Sequence, residues 1–409
     1  MVLKEKFHEG IVLFEIDGIN MIGNSTTGVF LGLDEQGSCL VNKIMKESNI
    51  IHISSSDEKL INVLYKNDFF KKEDEDSFSI KAAYVHVTDR CNLHCIGCYS
   101  YVNKRNTKKD LRFEEICEIF KKLNDFNIKQ VVISGGEPFI REDLKDICKY
   151  AQSLGISLSI ITNGTLSSEV YTKVLPYLQE IAVSIDGYNK DTYFIRDKGI
   201  MPKVIETVKF LKDKIPTKMI ATLHKKNAIY MREYAKLSKT LNVPFSFSVL
   251  TIDINNPIFK DYILDKNEFE LMSAYLGDQK DVVIQDSPMN GFNLQCKTRC
   301  EAGRKFISVA ADGTVYPCHM LHSDELKLGN ILDKNLKDII ISKTNPFLNI
   351  SVDSLEGCKD CKYKYFCGGN CRARSYLSTH SIYKNDDLCE VAYSHIDDKF
   401  QNLKKVYKL

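Results

Sequence analysis

The chain has 409 residues, of which 44% are hydrophobic and 27% are charged, as expected for a globular protein of two or three domains. Its formal net charge of +2 gives no reason to expect a nucleic-acid partner or electrostatic attachment to a membrane. The sequence does not open with a signal-peptide pattern, and no apolar run approaches the ~18 residues of a membrane span. We therefore expect a cytoplasmic protein without a membrane partner.

Residues 1–78 are predicted to form a small first unit. Its predicted elements are two strands at Ile11–Ile16 and Gly28–Leu33, joined through Asp17-Gly18 and a Gly23–Thr27 turn, then helices at about Asp34–Lys46 and Ser56–Tyr65. Ser56 is the expected N-cap of the second helix. Phe69 and Phe70 should close the unit against its core, and residues 71–77 are acidic and polar, which indicates a solvated linker.

From residue 82 the pattern changes to alternating strands and helices, which predicts parallel β/α units. The predicted strands are Tyr84–Thr88, Gln130–Ser134, Leu158–Thr162, Ile181–Ile185, Lys218–Leu223 and Phe245–Leu250. Helical periodicity places Cys117 and Cys148 on buried faces, where we interpret them, like Cys39, as structural. Residues 251–290 are poorly patterned apart from a helix at about Lys266–Leu276, and they connect to the last domain.

Three cysteines follow the first strand of this region, at Cys91, Cys95 and Cys98. A [4Fe–4S] cluster normally takes four cysteine ligands, so three close cysteines would leave one iron open to a small ligand. The alternatives are a zinc site or a disulfide cluster, although zinc sites usually combine two distant pairs of cysteines. The Cys-x3-Cys-x2-Cys pattern resembles the signature of radical S-adenosylmethionine (SAM) enzymes. In that family the open iron holds the methionine end of SAM, and one electron releases a 5′-deoxyadenosyl radical.

Further residues at the strand ends extend this resemblance. Gly135-Gly136-Glu137 resembles the family's GGE motif, which holds the methionine amine of SAM. The resemblance assigns SAM-binding roles to Gly97 and Leu250 near the adenine, and to Ser184, Asp186 and Arg196 at and beyond the end of the fourth strand. Gly97 departs from the family, which often has an aromatic residue or histidine there. Taken singly, Asp186-Gly187 could be only a turn and Arg196 only a solvated residue.

Eight of the fourteen cysteines lie after residue 295, and in a reducing cytosol such clusters indicate metal ligands rather than disulfides. Their spacing resembles the SPASM extension of radical SAM peptide and protein maturases, which binds auxiliary [4Fe–4S] clusters. The resemblance implies an inner set of Cys296, Cys300, Cys318 and Cys371, and an outer set of Cys358, Cys361, Cys367 and Cys389. Zinc remains the alternative for four-cysteine sites. Residues 308–316 are predicted to form a hairpin that brings Cys318 back beside Cys300.

The element order of residues 1–78 resembles the winged-helix domain with which enzymes that modify ribosomal peptides bind a leader peptide as an extra strand. The alternative is a cap that only packs on the next domain. The sequence thus predicts an α/β protein: a winged-helix-like domain (1–78), a partial (β/α)6 radical SAM barrel (82–290) and a SPASM domain (291–409).

The expected function is reductive cleavage of SAM and oxidative modification of a precursor peptide, through a thioether or a carbon–carbon cross-link. The implied cofactors are SAM and three [4Fe–4S] clusters, and the implied partners are the leader-bearing peptide and a flavodoxin- or ferredoxin-type electron donor. His319 is a candidate catalytic base, although a structural role fits equally. The sulfatase-maturing members have Asp at that position, which argues against that activity. The alternatives are a maturase acting on a protein residue or small molecule, and a non-catalytic electron carrier.

Overall fold

The computed structural model describes residues 2–3, 5–46, 51–52, 54–70, 80–100, 106–107, 109–277, 283–285, 294–342 and 345–407. The predicted linker at residues 71–77 lies outside this set. None of the helices in the described part of the chain combines the length and apolar character that crossing a bilayer requires.

The first unit contains a three-stranded antiparallel sheet covered by two helices. Its elements are β1 (Val2–Leu3), β2 (Ile11–Ile16), β3 (Ile19–Asn24), β4 (Phe30–Leu33), α1 (Glu35–Lys46), β5 (Ile51–His52) and α2 (Glu58–Lys66). Strand β3 lies between the two predicted strands and was missed. It forms because Asp17 and Gly18 both adopt positive φ, 51° and 82°, the geometry of a tight hairpin turn. Phe69 and Phe70 are buried in this core as predicted.

The second helix of this unit begins later than predicted. Its N-cap is Asp57 rather than Ser56. The Ser54 hydroxyl donates to the Asp57 carboxylate at 2.6 Å and accepts from the Asp57 amide at 3.3 Å, so the turn before the helix extends to Asp57.

The central region is a parallel β/α barrel segment. Its elements are β6 (Ala82–His86), α3 (Phe113–Asp125), β7 (Gln130–Ser134), α4 (Leu144–Ser153), β8 (Ser157–Thr162), α5 (Ser168–Thr172), β9 (Glu180–Ile185), α6 (Met201–Lys212), β10 (Thr217–Leu223), α7 (Met231–Leu241), β11 (Phe245–Val249), α8 (Lys266–Gly277) and β12 (Val283–Gln285). The six predicted strands are confirmed to within two residues. Strand β12 adds a seventh parallel strand beside β11.

The cysteine-rich region continues the same sheet. Its elements are β13 (Phe306–Val309), β14 (Thr314–Tyr316), β15 (Gly329–Asn330), α9 (Leu336–Ile340), α10 (Lys364–Cys367), α11 (Arg372–Thr379) and α12 (Cys389–Tyr407). The predicted hairpin is confirmed as β13–β14, with Ser308 opposite Tyr316. Strand β13 also pairs in parallel with β6, Phe306 opposite Ala82, so the hairpin and β15 extend the seven-stranded barrel sheet to ten strands among the described residues.

The N-terminal sheet packs on the cysteine-rich region. Phe14 and Phe30 contact Phe366, with ring centroids 5.6 and 4.8 Å apart. Asp17 forms an ion pair with Lys362 at 3.3 Å. These contacts cover one face of α10, so the first unit is anchored against the elements that carry the outer cysteines.

Candidate active site

Cys91, Cys95 and Cys98 line one cavity at the carboxyl ends of the parallel strands. Burial raises the pKa of the Cys95 thiol to about 11; nearby Arg196 opposes the shift, whereas Cys98 and Cys91 add to it. The three sulfurs are therefore close enough to influence one another, as ligands of one cluster must be.

Polar side chains hold the loop that carries these cysteines. The Arg90 guanidinium donates twice to Asp110, at 3.0 and 2.7 Å, and Asp110 also accepts from the Thr88 hydroxyl at 2.6 Å. The Cys91 amide donates to the Asn106 side-chain oxygen at 2.8 Å. These bonds fix the loop at its base, and the buried Leu93 side chain adds an apolar contact, so the thiols are held at the cavity.

The two glycines after β7 allow the next strand end to pack directly on this loop. The Gly136 amide donates to the Thr88 carbonyl and the Glu137 amide to the Arg90 carbonyl, both at 2.8 Å. A Cβ at Gly135 or Gly136 would lie far inside the contact distance of those same two carbonyl oxygens, and Gly135 has φ 129°. Glycine is required here by the backbone of the cysteine loop, in addition to any approach of a ligand.

Glu137 is fully buried beside the cavity. Its carboxylate accepts from the Asn163 amide at 2.7 Å and from the Thr162 hydroxyl at 2.8 Å. Burial raises the pKa of Glu137 to about 7, and these hydrogen bonds oppose the shift. Glu137 does not itself line the cavity, whereas its neighbours Gly135 and Gly136 do.

Asp186 positions the segment that carries Arg196. Its carboxylate accepts from the amides of Phe194, Ile195 and Arg196, at 2.5, 3.1 and 3.3 Å. The Ile195 carbonyl in turn accepts from the Ile96 amide at 2.7 Å, which ties this segment to the cysteine loop. Arg196 lines the cavity, and Asp186 lies behind it.

The remaining predicted SAM-site residues meet in the same cavity. Gly97, Ser184 and Leu250 all line it. Gly97 has φ 67°, and a Cβ there would come within 2.9 Å of the Leu250 side chain. Sequence reasoning missed the hydroxyl groups of Thr222, Ser248 and Thr251, which also line the cavity. Polar residues at inward positions of otherwise apolar strands were the signal that could have found them.

His319 lines the cavity from the side of the cysteine-rich region. Its ring stacks on Tyr84 of β6, with centroids 4.1 Å apart, and meets Tyr99 edge-on at 5.3 Å. The Tyr99 and Ser134 hydroxyls are 2.7 Å apart. His319 Nδ1 lies 3.8 Å from the Cys318 sulfur. His319 therefore stands between the cavity and a predicted inner cysteine.

The four predicted outer cysteines come together. Burial raises the pKa of the Cys358 thiol, and Cys389 and Cys361 add to that shift. Burial likewise raises the pKa of Cys367 to about 12, with added contributions from Cys358 and Cys389. Each member is thus close to at least one other.

Three of the four predicted inner cysteines pack in one buried cluster. Cys371 is close enough to Cys300 for that thiol to add to the burial-driven rise of its pKa to about 11. Cys318 packs in the same buried cluster as both. Cys296 contacts the N-terminal sheet: its sulfur packs against Gly23 of β3, and its amide donates to the Gly28 carbonyl at 2.8 Å. Burial alone raises the pKa of Cys296 to about 12.

A zinc ion and a four-iron cluster require different spacings of the cysteine sulfurs. Among the described residues, no three His, Cys, Asp or Glu side chains converge tightly enough to bind one metal ion. Zinc would require sulfur atoms at about 2.3 Å from one centre. A four-iron cluster takes one thiolate on each iron and so joins sulfurs that stand further apart.

Fold and site together define an iron–sulfur protein built on a parallel β/α barrel. The model of the radical SAM superfamily matches residues 85–237, and the model of the SPASM iron–sulfur cluster-binding domain matches residues 300–362. The chain belongs to the radical SAM proteins that carry a SPASM domain. Iron–sulfur clusters and SAM are accordingly its cofactors.

Relatives within this family differ in activity. The chain is 26% identical to an AdoMet-dependent heme synthase of Methanosarcina barkeri, over 74% of this chain and 94% of the relative. It is 25% identical to a cysteine-type anaerobic sulfatase-maturating enzyme of Clostridium novyi, over 79% and 96%. It is 22% identical to the PqqA peptide cyclase of Bradyrhizobium diazoefficiens, over 77% and 87%.

Two solved structures share the fold. The enzyme anSMEcpe with bound AdoMet superposes with a TM-score of 0.65 at 20% identity, covering 80% of this chain and 98% of that one. SuiB of Streptococcus suis bound to its precursor peptide SuiA superposes with a TM-score of 0.60 at 16% identity, covering 94% of this chain and 100% of that one.

Proposed function

We propose that this protein is a maturase that cleaves SAM reductively and installs a cross-link in a ribosomally made precursor peptide. Cys91, Cys95 and Cys98 would hold the cluster that binds SAM, and the C-terminal cysteines would hold two auxiliary clusters. When bound, these groups supply the radical that abstracts hydrogen and accept the electron that is removed afterwards. A flavodoxin- or ferredoxin-type protein would deliver the starting electron.

The observation that carries this proposal is that the barrel and the cysteine-rich region line the same cavity. Residues predicted to bind SAM line one side of it, and His319 and Met320 of the cysteine-rich region line the other. A substrate residue in this cavity would therefore contact the residues predicted to bind SAM. It would also lie beside His319, which directly follows Cys318 in the sequence. A simple electron carrier has no need of such a cavity.

Residues of the chain itself would orient the substrate and move a proton. Forming one cross-link removes two hydrogens, one as a hydrogen atom and the other as a proton and an electron. His319 is the candidate acceptor of that proton, because its ring is held on Tyr84 and reaches the cavity. Ile195 and Leu250, which are buried, would limit the access of water.

The first unit would bind the leader peptide in the manner of a winged-helix recognition domain. Its sheet has the order β2-β3-β4, so β2 and β4 are edge strands that can accept an added strand. Supporting this assignment, the likeness to peptide-bound SuiB extends over 94% of this chain, whereas that to anSMEcpe extends over 80%.

The position of Cys296 favours a thioether over a carbon–carbon bond. We propose that Cys296 stays against Gly23, so that the inner set comprises Cys300, Cys318 and Cys371, one thiolate fewer than a [4Fe–4S] cluster takes. A cysteine of the substrate is a residue type that could complete such a set. Under this proposal, Cys296→Ala leaves the iron content of the purified protein unchanged, whereas Cys300→Ala lowers it.

Two measurements test the function. The anaerobically reconstituted protein, reduced with dithionite, should convert SAM to 5′-deoxyadenosine; no such product would refute radical SAM catalysis. Co-expression with a cysteine-containing precursor peptide from a neighbouring gene should yield a peptide lighter by two hydrogens per cross-link. A cysteine that then resists alkylation identifies a thioether, whereas a reactive cysteine identifies a carbon–carbon bond.

Hydrogen exchange tests the leader site without altering the protein. Adding the full precursor should slow amide exchange in one edge strand, β4 or β2, and adding the peptide without its leader should not. Modification of a small molecule or a folded protein without any such protection would instead favour the rival assignment.

A further inference from the structure

Arg372 is a buried cation that has no carboxylate partner among the described residues. It follows Cys371 at the start of α11 and is 1% exposed. Its guanidinium donates to three main-chain carbonyls, those of Ile382 at 3.0 Å, Lys384 at 2.6 Å and Gly369. Within the described part of the chain, no Asp or Glu forms an ion pair with it. The neighbouring Arg374, by contrast, pairs with the buried Asp386 at 3.0 Å.

Such a charge is costly unless something compensates it. Moving a guanidinium out of water costs several kcal/mol, which neutral carbonyls offset only in part. The Nε atom of Arg372 is buried and has no hydrogen-bond partner in the structure. Both facts indicate that an anionic acceptor belongs beside this side chain.

The inner and outer cysteine sets both lie near Arg372, where an anionic acceptor is needed. Burial raises the pKa of the Cys300 thiol, and the backbone amide and the guanidinium of Arg372 both oppose the shift. Burial also raises the pKa of the Cys358 thiol, which the Arg372 guanidinium again opposes. The geometry agrees, because Arg372 directly follows Cys371 of the inner set and its guanidinium donates to the carbonyl of Gly369, two residues after Cys367 of the outer set. One buried cation is therefore close to both sets.

We propose that Arg372 is a fixed positive charge shared by the inner and outer clusters, with its Nε–H donated to a sulfur atom of one of them. The proposal rests on the assignment of both sets as cluster ligands. A positive charge and a hydrogen bond to sulfur both stabilise the more negative, reduced state of a cluster. Arg372 therefore raises the reduction potentials of both auxiliary clusters, which makes them better electron acceptors. It is a positioning residue and does not touch the substrate.

The test is a redox titration of the anaerobically reconstituted full-length protein, followed by electron paramagnetic resonance. Arg372→Gln should shift the midpoint potentials of both auxiliary clusters to more negative values and leave that of the barrel cluster unchanged. Arg372→Lys keeps the charge but lacks the Nε–H, so its shift should be smaller. Arg232→Gln, at an exposed position of α7, is the matched control for loss of one charge and should shift none.

The iron content of the variants distinguishes an electrostatic role of Arg372 from a role in folding. If Arg372→Gln loses auxiliary iron and Arg372→Lys retains it, charge is what the clusters require, and the proposal stands. Loss from both variants would reveal a purely structural role and overturn it, as would unchanged potentials at full iron content. Wild-type protein that carries only the barrel cluster would also overturn it, while SAM cleavage and peptide modification would remain independently measurable.

Discussion

The cysteines of the barrel loop and those of the C-terminal region are held by different means. The loop is fixed by polar bonds such as Arg90–Asp110, and its thiols border an open cavity. The C-terminal cysteines pack in apolar clusters with residues such as Leu355 and Phe366, and the N-terminal sheet covers part of them. The barrel cysteines border a cavity that can admit a ligand, whereas the C-terminal cysteines lie among apolar side chains. Under the proposed function, this difference separates a site for chemistry from sites that store and pass electrons.

Removing a thiol from the loop should have the largest effect. We expect Cys95→Ala to abolish SAM cleavage and to lower bound iron by roughly a third, because one of the three proposed clusters would be lost. Iron analysis and 5′-deoxyadenosine formation check this. Cys39→Ala is the control, since Cys39 is exposed and lies in the first unit, and it should behave as wild type. Full activity of Cys95→Ala would contradict the assignment of the barrel loop as the site of SAM cleavage.

The next largest effect is expected from a mutation that disturbs the contact between the end of β7 and the cysteine loop. In Gly136→Ala the new methyl group would overlap the Arg90 carbonyl, so the two strand ends must separate. A displacement of about 1 Å at a reacting centre can cost on the order of 100-fold in rate, and we expect a loss of that size in SAM cleavage. Gly32→Ala has ordinary space around it and should be neutral. An equal loss in both variants would contradict the geometric explanation.

Loss of the Asp186 carboxylate should have a moderate effect. In Asp186→Ala the amides of Phe194, Ile195 and Arg196 lose their acceptor, and an unsatisfied buried donor costs about 1–3 kcal/mol. We expect SAM affinity to fall by about tenfold or more, as measured by anaerobic calorimetry. The nearby exposed Asp191→Ala should bind SAM normally.

The smallest expected effect is the pH dependence of SAM affinity. Glu137 has a pKa of about 7, so its ionised fraction rises as pH increases through that value. If the SAM ammonium pairs with this carboxylate, affinity should rise roughly fourfold between about pH 6.5 and about pH 8. Glu137→Gln should bind more weakly and lose the dependence. A wild-type affinity that is flat across this range would contradict the pairing.

The same shift predicts the stability of the protein without its ligands. The pKa of Glu137 is raised on folding, from the ordinary 4.5 to about 7, so the folded state keeps its proton while the unfolded state loses it. Stability should therefore fall as pH rises from about 4.5 to about 7, by about 3 kcal/mol from this group, and then level off. Thermal melts of the wild type and Glu137→Gln separate this contribution from others.

Much of the fold and of the candidate site could be predicted because it follows from local sequence patterns. The barrel strands follow from short apolar runs, and the placement of Ser184 and Arg196 on one cavity follows from the shared edge of parallel strands. The pairing of β13 with β6 and the place of Cys296 against Gly23 involve residues far apart in sequence, which periodicity does not encode. The sequence predicts that Asp186 binds SAM directly. In the structure its carboxylate instead accepts hydrogen bonds from three backbone amides, and this arrangement depends on the conformation of the following loop.

The parallel pairing of β6 with β13 also has a consequence for how the protein is made. The edge of β6 emerges from the ribosome more than half a chain length before the strand that completes it. Until then this apolar strand presents bare amide and carbonyl groups, a surface prone to pairing with other chains. Nascent chains halted before residue 306 should accordingly aggregate or recruit chaperones, and metal loading should succeed only after synthesis has passed that point.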